Sequence, residues 1–350
     1  MDVCGNNGKC VSCNLAVASF KARSRALCQY FTFPRNRQEG RLTSCRECFG
    51  WYISSKAVKR IESYGVGVDG NQPRQSFLLA VSGGVSSTSL LHILASHLGR
   101  QRSEHGRTAY DLHVCFIQMP LVSSKDTAFQ NIIALRDEFP AHNFVFPKLS
   151  DIFGLDMTIY SDLCGLGLRQ CSTPQDSLDN MMSCTRSISA RAEVLQLLRT
   201  RLLVKTAASF QCTGILWGHS VDRLAAQTLT NVATGRGTCL SREICDGDTF
   251  WGIAFHYPLR DLYKSELSDW AKYFLAQWTD IPETGRLSVQ ESGVFGQATS
   301  VDSILAHYVE TQAEKNPNVL ANVVRTASKL LYPRSSECAT SSSRSSPEWK

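Results

Sequence analysis

Short apolar runs alternate with longer stretches of helical periodicity along most of the chain. The apolar runs predict buried strands, and the periodic stretches predict helices. Strands are expected at 77–81, 112–118, 143–146 and 213–217, and helices at 127–139, at 188–208 and from about 220 to 231. Because strands and helices alternate, the pattern predicts an α/β fold built on a parallel sheet.

Other stretches lack this periodicity. Residues 152–183 are rich in Ser, Asp and Gly, and we expect an irregular surface insertion with a break at 173–176. The tail at 335–350 is rich in Ser and is expected to be disordered. The predicted domains are therefore a Cys-rich module with a linking helix at 1–60 and an α/β domain at 70–334.

Composition narrows the class of protein. The chain has 350 residues, of which 43% are hydrophobic, enough for one large domain and a small module. No apolar run is long enough to span a bilayer, and the first residues lack the apolar stretch of a secretory signal. We expect a cytoplasmic protein without a membrane partner.

The first predicted strand runs into a turn of Ser82, Gly83 and Gly84, followed by a helix that starts near Ser86 and Ser87. Glycines allow a tight turn that leaves the amides of the helix N-terminus free to meet phosphate, and the three serines add hydroxyls. The alternative is an ordinary turn whose serines only cap the helix.

This segment resembles the PP-loop of ATP pyrophosphatases, Ser-Gly-Gly-x-Asp-Ser. The Asp position of that motif is Ser86 here, so a carboxylate that would help to hold magnesium against the phosphates is missing. The resemblance therefore predicts a degenerate nucleotide-binding site.

A second loop follows the strand at 213–217 and begins at Gly218. In a doubly wound sheet it should lie beside the Ser-Gly-Gly turn, because ligands bind outside the carboxyl ends of central strands. His219 is either a general base or metal ligand, or a hydrogen-bonding loop residue, which we favour. Asp222 either binds magnesium or caps its own helix, and we favour the cap slightly.

Fourteen cysteines in a cytoplasmic chain are expected to be thiols or metal ligands. Two C-x-x-C pairs can close one tetrahedral zinc site. The predicted ligands are Cys10, Cys13, Cys45 and Cys48. A redox-active pair is the alternative, but no βαβ pattern surrounds either pair, and Cys4 or Cys28 could replace one ligand.

Positive charge is concentrated in the first 60 residues, which hold eleven Lys and Arg against three Asp and Glu, in a chain of net charge +6. The basic residues are interleaved with aromatic ones, a mixture suited to RNA, although a solvated basic face is the alternative. The candidate RNA-binding residues are Lys21, Arg23, Arg25, Arg35, Arg37, Arg41, Lys56, Lys59 and Arg60. Arg191, Arg199, Arg201 and Lys205, on the helix at 188–208, are expected to face either RNA or water.

The order of motifs over residues 1 to 334 resembles the cytoplasmic tRNA 2-thiolation protein 2 family. The resemblance rests on the two Cys pairs, the segments 82–87 and 218–225, and three further segments at 229–237, 258–261 and 325–330. It implies a PP-loop fold, the adenine nucleotide alpha-hydrolase-like doubly wound parallel sheet, with a small N-terminal zinc-binding module. A catalytic sister subunit would carry acidic residues where this chain has Ser86, Arg223 and Ala226.

The resemblance further implies a heterodimer with a cytoplasmic tRNA 2-thiolation protein 1-type subunit. That partner would bind ATP and magnesium and adenylate the wobble uridine of the lysine, glutamate and glutamine tRNAs. Sulfur would come from a thiocarboxylated ubiquitin-related modifier. The family is also linked to the conjugation of this modifier to proteins. This chain would hold tRNA and partner. An autonomous ATP-dependent tRNA sulfurtransferase and a zinc-containing RNA-binding scaffold are the alternatives.

One feature departs from the family pattern. Members of the family usually end in a further C-x-x-C zinc ribbon, but here only Cys338 occurs in that region. If such a ribbon helps to grip tRNA, this form is expected to bind tRNA more weakly than a form that carries it.

Overall fold

The computed structural model describes residues 13, 20–22, 42–66, 74–119, 127–163, 171–185, 187–276 and 301–330. The strands are β1 (Phe20–Ala22), β2 (Leu42–Ser44), β3 (Gln75–Ala80), β4 (Tyr110–Cys115), β5 (Asn143–Val145), β6 (Gly214–Trp217), β7 (Gly247–Asp248) and β8 (Ala254–His256). Strands β1 and β2 pair antiparallel near the N-terminus. The other six strands form the main sheet in the order β5-β4-β3-β6-β8-β7.

Helices cover both faces of this sheet. The longer ones are α1 (Arg46–Glu62), α2 (Val85–His105), α3 (Thr127–Glu138), α6 (Pro174–Cys184), α7 (Ile188–Ser209), α8 (Val221–Ala233), α10 (Lys264–Phe274), α11 (Val301–Lys315) and α12 (Pro317–Ala327). The short ones are α4 (Ile152–Leu155), α5 (Thr158–Asp162) and α9 (Leu240–Ile244).

Strands β5, β4, β3, β6 and β8 are parallel, as predicted. Strand β7 adds a two-residue antiparallel edge. Alternate residues of the central strands face opposite layers. Leu79 and Leu216 pack in the core under α1, α2, α3 and α10. Leu78 and Ile215 pack in the core under α7, α8, α11 and α12. Central strands buried on both faces explain the unbroken apolar runs.

The insertion after β5 differs from its prediction. Residues 152–183 were expected to be irregular, but the described part forms α4, α5 and most of α6 around a third core. Ile152, Phe153 and Leu178 are buried there against α7. The expected break at 173–176 is a helix start, since Thr173 caps α6 by accepting a hydrogen bond from the Asp176 amide at 3.1 Å.

Candidate functional site

The Ser-Gly-Gly turn connects the carboxyl end of β3 to the first turn of α2. Gly83 has a φ of +77°, a conformation that favours glycine. A Cβ on Gly83 would also lie 2.7 Å from Cβ of Ala128 in α3. The turn therefore needs glycine at this position for both its backbone and its packing.

Ser87 holds this turn together. Its buried hydroxyl accepts a hydrogen bond from the Ser82 amide at 3.2 Å and donates one to the Gly84 carbonyl at 3.0 Å. The Ser87 hydroxyl was expected at a phosphate, but it serves the loop itself. Ser86 is partly exposed in the first turn of α2, where helix amides lack intrahelical acceptors and favour an anion.

The two loops predicted to converge do so. Strand β6 lies beside β3, with Ala80 opposite Trp217. A Cβ on Gly218 would lie 2.7 Å from Cα of Ser87. Glycine at 218 therefore lets the second loop pass directly against the start of α2.

Asp222 lies in the first turn of α8 and faces another helix. Its carboxylate accepts a hydrogen bond from the Lys264 amide at 2.6 Å, at the start of α10. Burial raises the pKa of Asp222, although the Lys264 amide opposes this. The N-cap residue of α8 is Ser220, whose hydroxyl accepts from the Arg223 amide, and the Asp222 carboxylate interacts with its own amide in the first turn. The same carboxylate stabilises the N-terminus of α10.

The positions where an active PP-loop enzyme carries acidic residues have a different chemistry here. Arg223 is half-exposed, and its guanidinium lies 3.6 Å from the carboxylate of Asp302 in α11. Ala226, also in α8, is buried in the core on that face of the sheet. Together with Ser86, these side chains offer no carboxylate to magnesium.

His219 packs among aromatic rings. Its ring centroid lies 5.3 Å from that of Trp217 and 5.6 Å from that of Tyr257, and its Nδ1 is buried without a hydrogen-bond partner. Burial, assisted by Arg223, lowers the pKa of His219 to about 3. The ring is therefore neutral near pH 7, and the expected role as a hydrogen-bonding loop residue is not observed for Nδ1.

Three of the four predicted zinc ligands lie together. The ligand atoms of Cys13, Cys45 and Cys48 are all within 4.8 Å of one another, and the Cys13 and Cys45 sulfurs are 3.8 Å apart. Two thiolates on a tetrahedral zinc ion, each at about 2.3 Å, are separated by about 3.8 Å, so this geometry fits the metal. Cys45 and Cys48 belong to the start of α1, whose N-terminus favours negative charge. Cys10 lies outside the described residues.

The basic residues of α1 have different surroundings. Lys56 donates to the Asp261 carbonyl at 3.0 Å, and burial lowers its pKa. Arg60 donates through Nε to Asp246 at 3.1 Å and lies 3.6 Å from Asp261. Lys59 is exposed. The structure describes only the backbone of Lys21, in β1, and the remaining candidates at positions 23, 25, 35, 37 and 41 lie outside the described residues.

Sequence comparison gives the family. A protein of Aspergillus clavatus named cytoplasmic tRNA 2-thiolation protein 2 is 33% identical to 95% of this chain and 87% of its own length. A protein of the same name from Coccidioides immitis is 35% identical, covering 93% of this chain and 83% of its own. The chain belongs to the cytoplasmic tRNA 2-thiolation protein 2 family. No family model matches the sequence.

The fold of this tRNA 2-thiolation protein 2 family member has a counterpart among solved structures. The U34-tRNA thiolase NcsA from Methanococcus maripaludis, solved with its 4Fe–4S cluster, superposes with a TM-score of 0.60. The match covers 92% of this chain and 87% of the thiolase at 13% sequence identity, so it shows the PP-loop fold alone. No helix in the described part of the chain combines the length and apolar character that crossing a bilayer requires.

In this family member the arginines of α7 differ from expectation. Arg201 pairs with Asp156 and Asp162, at 3.5 Å from Asp156. Arg199 is buried, so it does not face bulk water. The spacing of Arg199 from Leu203 and Ala207, four and eight residues later, could have identified it as a core-facing position.

Proposed function

We propose that this protein is a non-catalytic subunit of the cytoplasmic system that 2-thiolates wobble uridine in tRNA. The relatives' name supplies the process and the compartment. The observation that carries the non-catalytic role is the engagement of Asp222. It is the acidic residue that remains in this loop, and its carboxylate is bound to the Lys264 amide.

The physical reason lies in the chemistry of adenylation. Transfer of AMP to a carbonyl oxygen is assisted by magnesium, which carboxylates hold against the phosphates. Here Ser86, Arg223 and Ala226 supply none, while the glycines of the turn keep a backbone suited to an anion. We therefore assign ATP and magnesium to a tRNA 2-thiolation protein 1-type partner, and we expect the isolated chain to bind nucleotide weakly or not at all.

The proposed reaction then divides between two chains. The partner would adenylate the C2 oxygen of the wobble uridine in the lysine, glutamate and glutamine tRNAs. The sulfur of the thiocarboxylated ubiquitin-related modifier would then attack C2, the adenylated oxygen would leave as AMP, and hydrolysis would free the modifier as its carboxylate. This chain would position tRNA and partner.

The N-terminal cluster supports a tRNA-facing role. We propose zinc as its metal, with Cys10 as fourth ligand, since two C-x-x-C pairs and the observed sulfur spacing suit a tetrahedral site. Trp51, 56% exposed, and Lys59 both lie on the exposed surface of α1, about 12 Å apart along its axis. An exposed indole and a cation on one helix suit base stacking and phosphate contact.

The test uses the purified full chain with wobble-uridine tRNA, ATP and magnesium. We expect no release of pyrophosphate above background from this chain alone, and a stable complex when the catalytic partner is added. Magnesium-dependent pyrophosphate release by the isolated chain would instead identify an autonomous sulfurtransferase. Failure to form a complex with the partner would favour a zinc-containing RNA-binding scaffold.

A further inference from the structure

Arg199 occupies an unusual place for a cation. It lies in the middle of α7, one and two turns before Leu203 and Ala207, which pack against the sheet in the core that contains Ile215 of β6. Residues four apart share a helix face, so Arg199 is directed to the same face of the sheet. Because α7 runs antiparallel to the strand that follows it, the step from Leu203 back to Arg199 leads toward the carboxyl end of β6.

The guanidinium of Arg199 has no compensating charge among the described residues. The residue is 8% exposed, and its Nε is buried without a hydrogen-bond partner. Burial lowers the pKa of Arg199 to about 10, and the charge that adds to this effect is another cation, Arg223. By contrast, Arg201, two residues along the helix, has its charge compensated by an ion pair with Asp156.

Further polar atoms at this end of β6 also lack partners. Nε1 of Trp217, the last residue of β6, is buried without a hydrogen-bond partner, and so is Nδ1 of His219. Arg223 assists the lowering of the His219 pKa, which places this imidazole in the field of the same guanidinium. Asp302 at 3.6 Å from Arg223 is the carboxylate that faces this group, and it is itself half-exposed.

A buried cation without a counterion is costly, and the cost is removed when an anion binds. Guanidinium groups suit phosphate because their planar donors can bond two oxygens at once. We propose that Arg199 and Arg223 form a magnesium-independent site for a phosphate group of a nucleotide or nucleic acid, at the carboxyl end of β6. The site does not depend on the proposed function, because it requires neither the partner subunit nor catalysis.

The first experiment measures thermal unfolding and calorimetric binding with inorganic phosphate in EDTA. The variants are Arg199→Gln, Arg223→Gln and, as a control with the same loss of charge, Arg100→Gln on the exposed surface of α2. We expect phosphate to stabilise the wild type and Arg100→Gln, and at least tenfold weaker binding in the other two. Without phosphate, Arg199→Gln should be as stable as the wild type or more stable, because it removes an uncompensated buried charge.

Two results would overturn the site. One is absence of any phosphate effect on the wild type in EDTA. The other is an Arg199→Gln variant that is less stable than the wild type without phosphate but keeps the full phosphate response, since Arg199 would then pair within the protein. Arg223→Gln keeps the test decisive if Arg199→Gln fails to fold, because unchanged phosphate affinity in Arg223→Gln would also contradict the site.

Competition identifies the source of the phosphate group. ATP in EDTA and unmodified tRNA are each added to the phosphate-bound protein. Displacement by ATP assigns a nucleotide, and displacement by tRNA assigns the RNA backbone. Displacement by neither would overturn the assignment to a nucleotide or nucleic acid. These readings use binding alone, so they stand apart from any result on thiolation.

Discussion

At the residue scale, the candidate site depends on what each polar group faces rather than on its identity. Asp222 and Ser87 are residues that a phosphate or magnesium site would use, yet both make hydrogen bonds within the protein. Their partners come from positions distant in sequence or from the turn itself. The sequence identifies the residues but not these partners, because the turn geometry decides them for Ser87 and the position of the Lys264 amide in the fold decides them for Asp222.

Asp222 provides the first prediction. Asp222→Ala should lower the free energy of unfolding by about 1–3 kcal/mol, because the Lys264 amide loses its acceptor. Asp222→Asn keeps an acceptor oxygen and should cost less, since burial already disfavours the charged carboxylate. Urea unfolding of both variants measures this. Equal costs, together with loss of magnesium-dependent ATP binding, would show instead that Asp222 is a metal ligand.

His219 gives a prediction about pH. Its pKa is lowered to about 3, whereas an unfolded histidine titrates near pH 6.5, so the unfolded state gains a proton that the native state does not. The stability present above about pH 6.5 is therefore lost as the pH falls. Between pH 7.5 and 5.5 the wild type should lose about 1 kcal/mol more than His219→Gln in urea unfolding. An identical loss in the two proteins would contradict a neutral, buried imidazole.

At the element scale, the sequence predicted the central strands and helices to within a few residues. Strands β3 and β6 contain continuous apolar runs, which is why the sequence predicts their positions. The edge strand β7 has two residues, too few to show a period, and its pairing depends on β8. The insertion was misjudged because its apolar residues show no sustained period in the sequence and become a core only against α7.

The junction of the two loops gives a matched pair of substitutions. Gly218→Ala should destabilise the protein by about 1–3 kcal/mol, because the new Cβ would lie 2.7 Å from Cα of Ser87. Gly99→Ala in α2 meets nothing within 4 Å and should stabilise by about 0.5–1 kcal/mol through helix propensity. Thermal unfolding compares them. A Gly218→Ala protein as stable as the wild type would mean that the loops do not touch.

The cysteine cluster at the start of α1 gives a prediction about metal. The purified chain should hold about one zinc ion. The variants Cys45→Ser and Cys48→Ser should lose this zinc. The control Cys184→Ser, which changes an exposed cysteine in α6, should retain it. Elemental analysis measures the metal content of each protein. Iron in place of zinc, or full metal in Cys45→Ser, would rule out the assignment.

At the scale of the whole molecule, the N-terminal module and the sheet are joined through α1. This helix was assigned to the module, yet Phe49, Ile53 and Ile61 are buried in the core of the α/β fold. Arg60 adds ion pairs to Asp246, directly before β7, and to Asp261, shortly before α10. The proposed domain limits remain a prediction. The helix that begins at the cysteine cluster is therefore part of the core of the sheet.

We propose that this chain is required for thiolation without performing the chemistry. The most direct measurement is a tRNA thiolation assay with thiocarboxylated modifier, ATP and magnesium, using this chain alone, the catalytic partner alone, and both together. We predict 2-thiouridine above background only with both chains. Product from this chain alone would contradict the account, because a site with Ser86, Arg223 and Ala226 would then be catalytically active.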